Sequence, residues 1–246
     1  MTDTSKARTA IYQEFDSEFQ SASGLKDRRL YKIQYSPLHR FPLLALGDNP
    51  GGISGADDLL ESSTFYEDGR HDIVEFREHP RYHIAAGMFA LFAAILKTRD
   101  LDAIRRIPYL NVTFRRSQNK ATLDLSPAAA ALESASVLSK IITLIDPSYI
   151  LITRGGFAHF KQLHLSSYHV LDNDTITTPN GSNTATIFET YEGVLKATGM
   201  TVPIAVVGHP SKYARRADVW VAVAKATAAF FERRGLREIV SKFDKK

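Results

Sequence analysis

The sequence predicts an α/β fold in three layers, with helices on both sides of a mostly parallel central sheet. Two observations point there. Short apolar runs alternate along the whole chain with longer segments whose apolar residues recur at helical spacing. Several of those runs then break into polar turns built from Gly, Asn, His and Pro, as strands of an open α/β sheet do where a ligand binds.

The elements follow in order. Ile11, Tyr12, Phe15 and Phe19 recur at helical spacing, so residues 6–22 are an amphipathic helix capping the core. The cluster Lys26, Asp27, Arg28, Arg29 and Lys32 reads as a solvated charge run leading into a first strand over 41–46. Residues 53–81 read as a long solvated loop; its Asp57, Asp58, His71 and His79 lack the spacing of metal ligands. Ala85, Met88, Phe89, Phe92, Ile95 and Leu96 make residues 82–97 a buried helix. A second strand spans 107–114, a helix 127–145 and a third strand 148–153. Gly155 and Gly156 then open a turn and helix in which close packing is a better account of the glycines than phosphate binding. Residues 172–183 read as a loop, 185–197 as a helix, 202–207 as the last strand and 218–234 as a closing helix before a Lys-rich tail.

Composition narrows the function. The 246 residues are 44% hydrophobic and 24% charged, enough for one domain over 1–246 with residues 1–35 as a helical extension. A net charge of +4 permits a polyanionic partner without demanding one. There is no cysteine, which excludes disulfides, thiolate zinc sites and iron–sulfur clusters. No apolar run approaches the ~20 residues that span a bilayer, so the expectation is a soluble cytoplasmic protein without membrane partner, metal or cofactor. Neither a P-loop nor a G-x-S-x-G elbow occurs, which disfavours nucleotidyl and α/β-hydrolase chemistry.

Three strand ends carry the functional signal: Gly47-Asp48-Asn49-Pro50-Gly51, Leu110-Asn111 and Gly208-His209-Pro210-Ser211. Pro50 fixes its own φ, and Gly51 and Gly52 leave room for a ligand beside the main chain. Asn111 stands in a run that otherwise suits burial, and a buried amide must either support the backbone or face a ligand. The ordered trio resembles the uracil-DNA glycosylase superfamily, in which a G-x-D/N-P motif, a base-reading Asn and a late H-P-S motif follow successive strands. The resemblance covers residue 43 to the end, and Asn49 makes it closest to the mismatch-specific and single-strand-selective branches.

The resemblance implies a monofunctional glycosylase that hydrolyses the N-glycosidic bond of a pyrimidine swung out of DNA. His209 would donate to the base carbonyl as it gains charge, in the manner of an oxyanion-hole donor. Asn49 would orient water through its carbonyl but accept a proton poorly, which predicts slower chemistry than an Asp gives. Asp48, its neighbour, points to the opposite face of an extended chain, so Asn49 is the one expected to face the scissile bond. Gly47 belongs to the same turn, Asn111 would read the N3/C4 edge, and Phe65 or Tyr66 would stack on the base. Gly51 stands where the uracil-strict branch has a Tyr that walls off C5, so 5-modified pyrimidines, including bulky modified cytosines of phage DNA, could enter. Ser211, Lys212, Tyr213, Arg215 and Arg216 would hold phosphates and fill the vacated stack. The implied partner is DNA, bound by a monomer that is nucleoid-associated if prokaryotic. A member that only binds a modified base or nucleotide is the other reading of the same residues.

Overall fold

The structure is a computed structural model that describes residues 3–27, 30–33, 36–48, 71–79, 82–116, 125–171, 175–180, 183–210 and 217–243. The described strands form one seven-stranded sheet. In chain order the elements are α1 (Asp3–Ser23), β1 (Leu43–Gly47), α2 (Asp72–Glu75), α3 (His83–Leu96), α4 (Leu101–Arg105), β2 (Tyr109–Asn111), α5 (Pro127–Ile145), β3 (Tyr149–Thr153) and α6 (Arg154–His164). They continue with β4 (Leu165–Val170), β5 (Ile176–Asn180), β6 (Asn183–Leu195), β7 (Thr201–Val207), α7 (Ala217–Arg233) and α8 (Leu236–Phe243). The sheet runs β2-β1-β3-β7-β6-β4, with β5 also pairing β6. The first four of these strands are mutually parallel, and β4, β5, β6 and β7 join through antiparallel ladders.

Alternation along the parallel strands divides the core into two layers. Leu43, Ala45, Tyr109, Tyr149, Leu151, Ala205 and Val207 pack with α3 and α7. Leu44, Leu46, Leu110, Val112, Ile150, Ile152, Ile204 and Val206 pack with α1, α5 and α6. The expected three-layer architecture is therefore the observed one. Helix α1 is part of it, because Tyr12, Phe15 and Phe19 are buried in the second layer.

Helix α5 starts as its sequence dictates, with Ser126 accepting from the N–H of Ala129 and Pro127 in the first turn. By length and composition it could cross a membrane, against the expectation that no run approaches that length. Here it is a core helix, burying Val137, Leu138, Ile141, Ile142 and Ile145.

Five expectations are corrected. Residues 185–197 are not a helix: β6 occupies Asn183–Leu195, and β5 occupies part of the expected 172–183 loop. The stretch is rich in Thr, Ile, Phe, Tyr and Val, which suit a pleated surface. Asn180 pairs with Asn183, which brings the two strands together as an antiparallel pair. Lys32 is not part of a solvated run but only 2% exposed, with its ammonium 2.6 Å from the Asp72 carboxylate. The end of the expected 53–81 loop is likewise inside, since His71, Asp72, Ile73 and Val74 are all buried around α2. The tail after α7 begins as a further helix, α8, whose Leu236 reaches the core.

Candidate functional site

Because β1, β2, β3 and β7 are parallel, their carboxyl ends emerge along one edge of the sheet. Gly47 is paired with Asn111, and Thr153 with Val207. Continuing the pairing of Leu46 with Ile152 sets Gly47 beside Thr153. The order across that edge is thus Asn111, Gly47, Thr153, Val207, a span of about 14 Å at ~4.8 Å per strand. Each is two residues on from a side chain packed toward α3 and α7, so the four share that face.

Gly47 is glycine for a visible reason. A β-carbon there would lie 1.9 Å from the Asn111 amide oxygen and 2.8 Å from the Tyr109 hydroxyl. The Asn111 side chain leans across the glycine and is 3% exposed. Among the described residues its amide has no side-chain hydrogen-bond partner. Tyr109, on the same face, is buried, and burial together with the charges of Asp72 and Asp48 raises its phenol far above the ordinary range. It stays protonated, with its hydroxyl on the same side of Gly47 as the amide.

Asp48 goes the other way. Its carboxylate stands against Gly155 in the first turn of α6, where a β-carbon would meet Oδ2 at 2.2 Å. The free N–H groups and positive end of the helix favour a carboxylate at that point. Gly156 is equally constrained, with the Gly47 carbonyl oxygen 2.7 Å from its would-be β-carbon. These two glycines serve close packing, as expected, although they lie inside the helix rather than before it. The main chain carries the pairing past β2: the N–H of Val112 donates to the Gly47 carbonyl at 3.2 Å and that of Thr113 to the Asp48 carbonyl at 2.9 Å.

On the other side of the edge, β7 delivers Gly208, whose N–H donates to the Ile187 carbonyl at 2.7 Å. His209 is partly exposed and Pro210 is buried. Pro210 presses on Gly87 of α3, where a β-carbon would come within 2.5 Å of the proline ring. The Trp220 indole N–H, from α7, donates to the Gly87 carbonyl at 3.0 Å. The turn carrying His209 therefore packs against α3, which is tied in turn to α7 through Trp220.

Behind β2 lies polar machinery that the sequence reading missed. The Lys32–Asp72 pair is enclosed, and burial pulls the lysine pKa down against the opposing pull of Asp72. His71 is fully buried with Nε2 2.8 Å from the Ile107 carbonyl, and burial lowers its pKa to about 4. Nothing local in the sequence pairs Lys32 with a residue forty positions away.

The edge thus carries Gly47, Asn111 and the turn bearing His209, with the Asp48 carboxylate beside Gly155 of α6. Asn49, Gly51, Phe65, Tyr66, Ser211, Lys212, Tyr213, Arg215 and Arg216 lie outside the described residues. Among the described residues no group of three or more His, Cys, Asp or Glu side chains is placed to hold a metal ion. No protein-family model matches this chain, and no curated protein matches it.

Proposed function

We propose that this protein is a monofunctional DNA glycosylase that releases uracil or a 5-modified pyrimidine from DNA and leaves an abasic site. The observation that carries the reading is the buried Asn111 amide, leaning across Gly47 on the sheet edge from which the His209 turn also emerges. An amide so placed suits a ligand with donors and acceptors along one edge, as a pyrimidine has. On this reading His209 stabilises charge growing on the departing base, Asn49 orients the attacking water, and Asp48 positions the first turn by anchoring α6. Gly51 leaves the C5 side open, which favours a substituted base over a uracil-strict pocket. The basic groups from Lys212 to Arg216 anchor phosphates, so DNA affinity falls with added salt.

The test is mass-spectrometric detection of free base from duplexes carrying uracil, thymine, 5-hydroxymethylcytosine or a glycosylated cytosine. The expected result is multiple-turnover release of a 5-substituted base. Release of uracil alone overturns the open-C5 reading. Stoichiometric binding of modified DNA with no release establishes the binding-only reading instead, which the amide at position 49 favours because it accepts a proton poorly.

A further inference from the structure

Thr153 closes β3 and stands at the N-cap of α6. A threonine there ordinarily turns its hydroxyl onto the free N–H groups of the first turn. Thr153 makes no such bond, and the Asp48 carboxylate, arriving from β1, stands beside Gly155 instead. The hydroxyl is left fully buried, and Oγ1 has no hydrogen-bond partner among the described residues.

Its position explains why that is tolerated. Tyr149 and Leu151 alternate onto the face shared with α3 and α7, so Thr153 falls there too. On that face its neighbours in rank are Val207 on one side and Gly47 on the other, with Asn111 beyond. Two buried polar side chains, the Asn111 amide and the Thr153 hydroxyl, therefore flank the one position in the rank that has no side chain. An isosteric valine would fill the Thr153 site without leaving a polar atom unmatched. A hydroxyl kept there at a cost to folding has its use in another state of the molecule.

We infer that Thr153 is a ligand-binding residue of the same site, its hydroxyl taking the pyrimidine edge that Asn111 does not reach. This rests on the proposed glycosylase reading for the identity of the ligand, and on the fold alone for the location of the group. A hydroxyl both donates and accepts, so it suits a ring carbonyl or a ring N–H and does not by itself choose between uracil-type and cytosine-type bases.

The experiment compares Thr153→Val and Thr153→Ser with the wild type in single-turnover base release, thermal unfolding, and calorimetric titration with free uracil and free 5-hydroxymethylcytosine. The expected result is release slowed about tenfold or more by valine, an unfolding temperature unchanged or raised in that variant, and recovery of release in the serine variant. A purely structural threonine would instead lose stability and activity together. Release from Thr153→Val within about twofold of the wild type overturns the inference and leaves the glycosylase reading standing. If the wild type releases no base from any duplex, the glycosylase reading fails, and the titrations decide Thr153 alone. Weaker binding of the free bases by the valine variant then supports the inference, and equal binding or none overturns it.

Discussion

The amide oxygen of Asn111 occupies the space that a side chain on Gly47 would need, 1.9 Å from the point where its β-carbon would lie. The glycine and the amide are one device. Gly47→Ala forces the Asn111 side chain to rotate away or the strands to part, at a cost of about 1–3 kcal/mol. Base release is expected to fall at least about a hundredfold, which at 1.4 kcal/mol per tenfold corresponds to about 3 kcal/mol of lost transition-state stabilisation. Urea unfolding and single-turnover kinetics on the same variant check both numbers, and an active, fully stable Gly47→Ala protein would contradict the placement of the amide.

Asp48 and its neighbour Asn49 separate by phenotype. Asp48 touches the start of α6, so Asp48→Ala is expected to lower stability by about 1 kcal/mol and to slow base release only through the displaced turn. Asn49→Ala is expected to abolish release with little change in the unfolding transition. The opposite pattern, a silent Asn49→Ala and an inactive but stable Asp48→Ala, reassigns the water-orienting role to Asp48.

The enclosed Lys32–Asp72 pair should show strong coupling. Either single change, Lys32→Met or Asp72→Leu, strands one charge in the interior and is expected to cost about 3–5 kcal/mol, whereas the double variant replaces both with apolar groups and costs far less. A double-mutant cycle by chemical denaturation reads this directly. Additive costs would mean that the two charges are separately solvated.

Two histidines make the fold acid-sensitive. His71 and His164 are buried, and burial lowers each pKa to about 4 from the ordinary 6.5, with Lys196 adding to the effect at His164. Between those values the unfolded chain binds protons that the folded chain does not. Their contribution is therefore intact above pH 6.5 and declines as the pH falls toward 4, by up to about 3 kcal/mol for each imidazole. Unfolding temperatures measured from pH 7.5 to 4.5 should drop steeply, and His164→Asn should flatten the slope. A profile flat across that window would show that neither imidazole is held neutral by the fold.

Much of this molecule was legible in its residues taken one stretch at a time. Helix α5 begins and ends at the residues its Ser126-Pro127 start and apolar spacing indicate, and β1, β3 and β7 fall within two residues of their apolar runs, because burial on both faces leaves an unbroken apolar signature. The turns at Gly47 and Gly208 were visible for the same reason: a polar break after such a run has to be a strand end. What tertiary structure alone decided was partnership. Residues 185–197 contain enough helix-compatible side chains to be read either way, and they become β6 because β7 lies alongside to pair with them. Lys32 and Asp72 are ordinary surface residue types until the fold encloses them together, and Asp48 stands against the first turn of a helix that starts over a hundred residues later. Periodicity reports how one segment meets an apolar interior; it carries no information about which distant charge, amide or glycine will stand opposite, because that is set by the packing of the whole chain.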